Sequence, residues 1–318
     1  MTDAEDEDVN ALREVHEQSR EGAPSAGSVI SDRFDTDEIF HRIMIAADEE
    51  IQTSFRELFF SALAGGFAIT ITFLLYANLY HSTGGHPVLS ALLYPIGFMY
   101  IILGRYQLYT ENTLPPVTLV LERLASIPLL LYVWGVVFLG NALGGGLGAA
   151  VLAYTGVFSP EVSETAIKIS LKGMQVPFWS LFFKAGFAGF IVAGVVWLDY
   201  AARDTVSRLL LIYIAFLAIP MGDLYHSVVS ATETMYLVFL GKVQFLAGMK
   251  QFVLPVLMGN TVGGVVLVTV VNYFQTARRR VKSIRDQGPD AQLGVQELLL
   301  GPFVGRSYSA PEEPYPSE

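Results

Sequence analysis

The sequence predicts an all-α polytopic membrane protein, with six spans arranged as a 3+3 inverted repeat, two of them broken, and an aquaporin-like protomer. Three observations carry that prediction: six apolar segments of membrane length, a G-N-x-x-G-G motif that occurs twice, and a polar interruption in one overlong segment of each half. Of 318 residues, 52% are hydrophobic and only 16% are charged. A bilayer core of about 30 Å needs about 20 helical residues to cross. The candidate spans are Phe59–Tyr80, Val88–Arg123, Leu129–Tyr154, Leu181–Tyr200, Leu209–Leu240 and Phe252–Phe274.

Each set of three spans follows one order: plain helix, broken helix, Gly-rich helix. "GNALGGG" at 140–146 and "GNTVGGV" at 259–265 recur at an offset of 119 positions. Upstream of them lie "GRYQLYTENTLPPV" at 104–117 and "GDLYHSVVSATETM" at 222–235. Glycine-rich membrane helices resemble one another simply because small residues allow close packing. Three features recurring in one order argue for a repeat instead. Because three crossings is an odd number, the second unit enters the membrane in the opposite sense, about a pseudo-two-fold axis in the membrane plane.

The two broken spans exceed what one straight crossing requires. Unwound backbone at membrane depth is tolerated only where it is buried in protein or lines a cavity. Pro115 or Pro116 suits the first turn of a restarting half-helix. Two half-helices restarting near the midplane would aim their N-termini at a common centre, each with roughly +0.5 of an elementary charge. A small anion is the natural guest there.

The net charge of −10 is concentrated in the tails, which read as solvated acidic segments. The division expected is an N-terminal tail over 1–56, a transport unit over 57–276 (repeat one about 57–155, repeat two about 178–276) and a C-terminal tail over 277–318. "MTDAEDEDVN" is acidic, the reverse of a signal peptide's n-region. Fourteen Lys and Arg fall on the side of the two tails and five, Lys168, Lys172, Lys184, Lys242 and Lys250, on the other. Both tails are therefore expected to be cytoplasmic. The chain has no cysteine, which excludes disulfides, thiolate metal sites and thiol nucleophiles. No metal-ligand spacing is present, no cofactor is implied, and nothing points to nucleic acid.

Five histidines occur, and only His226 falls inside a span. Ionisable groups within spans are costly and usually functional, and histidine titrates near neutrality. Thr110 lies in the first break. Glu111, Asp223 and Glu233 are expected to line the path or brace the loops, with Asp223 open to pairing with His226. Tyr94 and Phe98, with Phe216 and Ile219, are bulky residues that opposed across a pore would form dry constrictions. An amphipathic stretch, "DTDEIFHRIMIAADEE", precedes the first span, which leaves gating by the N-terminal tail open.

"LYTENTL" in the first break, "HSVV" in the second, "FFKAGFAGFIVAGVVWLDYAARD" and the two G-N-x-x-G-G motifs together resemble the formate/nitrite transporter family over roughly residues 55–276. The resemblance implies a homopentamer whose protomers each carry a pore for small monovalent anions such as formate or nitrite. In that family a threonine and a histidine face each other between two hydrophobic constrictions. Thr110 and His226 match those two. Tyr94 and Phe98 fall at one constriction, Ile219 at the other, and Lys172 stands for a lysine of the outer vestibule. The chain departs from the family pattern at Tyr225, Ser230 and Gly189, where Glu, Asn and Asn are usual. It resembles a branch marked by "TENT" and "GD…H…VV…E".

The function expected is a channel or transporter for small weak-acid anions, with or without a proton, in an inner membrane and not an enzyme. A neutral-solute pore of the aquaporin or glycerol kind would want a cationic filter and paired Asn, for which Arg105 and Asn112 are partial candidates. An intramembrane enzyme using His226 with Asp223 or Glu233 would want a nucleophile motif that is absent.

Overall fold

A computed structural model of the chain describes residue 34, residues 36–275 and residues 292–301. The basic run "ARRRVKSIR" and the acidic N-terminal decapeptide lie outside those residues. The described chain is helical throughout. Five helices are long and apolar enough to span a membrane, and Thr205–Met221 is a shorter apolar one. That last helix is the first half of the second broken span, so the sixth crossing is split rather than missing.

The first unit begins with α1 (Thr36–Gln52) and α2 (Phe55–Ser82). Ser54 and Glu57 form a reciprocal capping box that fixes where α2 starts. The first broken span follows as α3 (Pro87–Ala91), α4 (Ile96–Gly104), a 3₁₀ turn at Glu111–Thr113 and α5 (Pro115–Leu121). Pro115 and Pro116 open α5, as the sequence predicts. The Gly-rich helix α6 (Ile127–Tyr154) closes the unit behind the Ser126 cap.

The second unit repeats the order. It comprises α8 (Phe178–Ala201), then α9 (Thr205–Met221) and α10 (Ser227–Phe239) as the broken span, and α11 (Phe245–Gln275). π-helical turns at Met249–Val253 and Gly263–Val270 interrupt α11. Packing shows the repeat directly. A Cβ at Gly66 on α2 would collide with the backbone of Asn141, and one at Gly189 on α8 would collide with the backbone of Asn260. Both Gly-rich helices therefore approach their plain partner at the same motif, closely enough that only hydrogen fits.

Two features depart from the sequence expectation. The tails are not wholly solvated. α1 buries Ile39, Phe40, Ile43, Met44 and Ala47 against the rest of the chain, with Ile39 and Ile43 clustered with Leu114, Ala193 and Val196. At the other end, Leu293 is fully buried and its N–H donates to Arg123 O at 2.7 Å, ahead of a short helix α12 (Val295–Leu300). The connection between the two units also holds a 15-residue amphipathic helix, α7 (Pro160–Met174), capped by Ser159. Its signal was an N-cap serine followed by proline and glutamate, then apolar residues at helical spacing.

Candidate permeation site

After α4 the chain turns out of the helix at Arg105, and after α9 it does so at Asp223. Both residues are left-handed, with φ of 55° and 51°. Each turn is closed the same way: Tyr106 N–H donates to Ile101 O at 3.0 Å and Leu224 N–H donates to Ile219 O at 2.9 Å. The two breaks are copies of one device.

One asparagine holds each break. Asn141 Oδ1 accepts the Tyr109 N–H at 2.8 Å, and its Nδ2 donates to Ala62 O at 2.8 Å and Gln107 O at 2.9 Å. Asn260 Oδ1 accepts the Ser227 N–H at 2.8 Å, and its Nδ2 donates to Ala185 O at 2.7 Å and Tyr225 O at 3.0 Å. A carboxamide has the acceptor and two donors that a broken helix leaves wanting. The sequence reading used these asparagines as repeat markers and missed this role. The signal was in the motif, since a buried Asn between glycines in a span needs partners.

The breaks bring Thr110 and His226 together. Thr110 Oγ1 and His226 Nε2 lie 2.8 Å apart, with both residues 1% exposed. Thr110 is the residue at the start of the 3₁₀ turn, and His226 holds the N-cap position of α10. Phe98 meets the imidazole edge-on at a centroid distance of 4.9 Å, and Phe98 in turn stacks on Phe216 at 3.9 Å. Tyr94 packs on Phe98 at 5.6 Å, and Ile219 is fully buried in the same cluster.

Two cavities lie near this contact, one lined by His226 itself and the other by Glu111, the residue after Thr110. One, of about 350 Å³, lies against α7 and is lined by Tyr94, Lys168, Lys172, Asp223, His226 and Glu233. The other, of about 650 Å³, lies against α1 and is lined by Arg42, Glu50, Arg105, Glu111, Asp199 and Arg203. The three acidic residues of the breaks are thus divided. Glu111 faces the α1 side, while Asp223 and Glu233 face the α7 side.

Asp223 does not pair with His226. It binds Lys172 Nζ at 2.9 Å and also Lys184 Nζ, at the cavity rim with its side chain 46% exposed. The left-handed turn carries its carboxylate away from the imidazole and toward α7 and α8. His226 Nδ1 has no hydrogen-bond partner. Arg105 and Asn112, the partial candidates for a neutral-solute filter, lie away from the Thr110–His226 contact. Both line the α1-side cavity, but the Asn112 side chain donates to Gln107 Oε1 at 2.8 Å and its backbone carbonyl accepts from the Trp134 indole at 2.8 Å. Among the described residues no group of three His, Asp or Glu is arranged to hold a metal ion.

The family model described as "Formate/nitrite transporter" matches residues 37–274. The chain belongs to the formate/nitrite transporter family. That family is one of transporters rather than enzymes, and this member is a multi-pass membrane protein. It is 31% identical to the inner membrane protein YfdC of Escherichia coli (strain K12) over 242 residues, which cover 74% of this chain and 77% of that one. It is 21% identical to the formate channel FocA of Haemophilus influenzae over 250 residues, covering 69% and 86% of the two chains. Among solved structures, an FNT family ion channel superposes with a TM-score of 0.67 at 22% identity, covering 76% of this chain and all of that one. A pentameric formate channel with formate bound gives 0.59 at 19%, covering 70% and 97%. These likenesses show the fold.

Proposed function

We propose that the chain is a channel or transporter for small monovalent weak-acid anions of the formate or nitrite class, and that Thr110 and His226 form its permeation site. The observation that carries the reading is the buried 2.8 Å contact between Thr110 and His226, each delivered by a helix break, with one cavity reaching His226 and another reaching Glu111 beside Thr110. Lys172, 66% exposed at the cavity rim, is placed to draw an anion in. Phe98 against the imidazole, with Tyr94 and Ile219, makes a dry constriction that a bare charge crosses only at high cost. The Thr110 hydroxyl and the α10 N-terminus offset the loss of hydration, and a proton or hydrogen bond from His226 lowers the remaining cost. Glu111, Asp223 and Glu233 line the approaches.

The transport unit in this reading is residues 57–276, with repeats near 57–155 and 178–276, both tails in the cytoplasm and the unit in an inner membrane. A relative's description as an inner membrane protein and the excess of Lys and Arg on one side support that placement. The assembly is a homopentamer, a reading supported by the pentameric neighbour and by the exposed apolar stripe Leu139, Leu143, Leu147 and Val151 on α6. Flux into proteoliposomes, measured with formate, nitrite, hydrosulfide, lactate and acetate across pH, tests the function. Uptake of one or more of these above empty liposomes is expected. Water or glycerol permeability with no anion uptake would replace the reading with the neutral-solute one.

A further inference from the structure

Two carboxylates flank the Thr110–His226 contact, one in each cavity, and neither is committed to an ion pair with a described lysine or arginine. Glu233 is 7% exposed on α10, seven residues beyond His226. At 100° per residue that spacing returns to nearly the same helix face, about 10 Å along the axis. Both line the α7-side cavity. Glu111 follows Thr110 directly, lines the α1-side cavity, and has a buried Oε1 with no hydrogen-bond partner. Between the two stands His226, whose Nδ1 is buried and unpartnered while its Nε2 is engaged by Thr110. A buried polar atom left without a partner calls for a reason, and one such reason is a role in chemistry.

We propose that Glu233 and Glu111 are the two proton ports of this site, carrying the proton that accompanies an anion between His226 and the cavities. The inference rests on the transport reading above. A proton from the α7-side cavity binds the Glu233 carboxylate and passes through cavity water to His226 Nδ1. His226 Nε2 gives its proton to Thr110 Oγ1, and the hydroxyl proton of Thr110 leaves through water to the Glu111 carboxylate. Glu111 releases it to the α1-side cavity. One proton enters and one leaves, and return of the imidazole to its first tautomer resets the site.

The charged neighbours leave this route open. Asp223 occupies Lys172 and Lys184, so those lysines are turned away from Glu233, which otherwise shares its cavity with Lys168, His81 and the hydroxyls of Tyr76 and Tyr94. Glu111 shares its cavity with Glu50 of α1, Asp199 and Tyr200 of α8, and Arg42, Arg105 and Arg203. Asp199 is itself held by Arg208 at 2.6 Å.

The test reads two fluxes in the same proteoliposomes. Inward proton flux driven by a formate gradient is followed with an internal pH dye. Exchange of labelled for unlabelled formate at equal concentrations, which needs no net proton movement, is the second. Empty liposomes give the background for both. In Glu233→Gln and in Glu111→Gln the ratio of proton flux to formate exchange is expected to fall at least fivefold, and Glu233→Asp should restore most of it. A smaller fall in either variant overturns the proposal. If the wild-type chain exchanges no anion on the full panel, the transport reading fails by itself. Proton flux is then driven by a potassium diffusion potential: its loss in both variants keeps the ports, and its persistence removes them.

Discussion

Asn141 and Asn260 hold the two helix breaks by matching sets of three hydrogen bonds, one accepted from a backbone N–H and two donated to backbone carbonyls. Both side chains are fully buried. They are the points at which the repeat in the sequence becomes a repeat in the chemistry of the backbone.

Removing either amide takes the partner from two backbone groups of the break, an N–H and a carbonyl, each at about 1–3 kcal/mol when left unmet. Asn141→Ala and Asn260→Ala are therefore expected to lower the melting temperature in detergent strongly and by similar amounts. Asn→Asp, which keeps the acceptor and loses both donors, should fall at least as far. A melting temperature unchanged in either alanine variant would show that its break is held by something else.

The close approach of the Gly-rich helices gives a second expectation. Gly66→Ala and Gly189→Ala push a methyl into the backbone of the facing helix, and overpacking of this kind costs about 1–3 kcal/mol. Gly146→Ala, in the same run as Asn141, meets only the Met235 side chain at ordinary contact distance and should be neutral to slightly stabilising. Equal losses from all three would contradict interhelix distance as the deciding factor, since helix propensity by itself favours alanine over glycine at each position.

Asp223 spends its charge on two lysines rather than on His226. Because Lys172 is 66% exposed, that pair adds little to stability, about 0–1 kcal/mol. Asp223→Asn should leave the fold intact and uncover positive charge at the α7-side mouth. Anion flux at subsaturating concentration should rise at low ionic strength, with the gain lost above physiological salt. The pH midpoint of flux should not move. A shifted midpoint would return Asp223 to the imidazole.

Docking of α1 is expected to depend on pH through Glu50. Its Oε1 is buried without a partner, and burial pushes the carboxyl up from 4.5 to about 8. The docked state therefore holds the proton that the undocked state has lost, so docking is strongest below about 4.5 and weakens as pH rises toward 8. Amide exchange across 36–52 is expected to quicken between pH 6 and pH 9 by more than the intrinsic chemical rate. In Glu50→Gln that excess should vanish. An excess that survives the substitution assigns the effect to another group.

Much of this was legible in the sequence because a bilayer imposes strict rules. Span length, the cost of ionisable groups in lipid and the parity of three crossings together yielded six spans, the repeat and both breaks. Thr110 and His226 were reachable because each lies in an interruption that lipid would not otherwise tolerate. The partner of Asp223 was not reachable. A left-handed residue at position 223 turns its carboxylate toward α7, and α7 lies between the repeats, where the span rules say nothing. The docking of α1 and of Leu293 escaped for the same reason. Acidic composition predicted solvated tails, while a stripe of Ile39, Phe40, Ile43 and Met44 was enough to seat one helix.

The pH profile of anion flux in His226→Asn bears most directly on the permeation site. Asparagine keeps a hydrogen-bonding side chain opposite Thr110 but cannot titrate. Flux through this variant is expected to persist, changed in size, and to lose its dependence on pH near neutrality. A His226→Asn protein that keeps the wild-type pH profile would contradict the role given to His226 and leave it a packing residue between two helices.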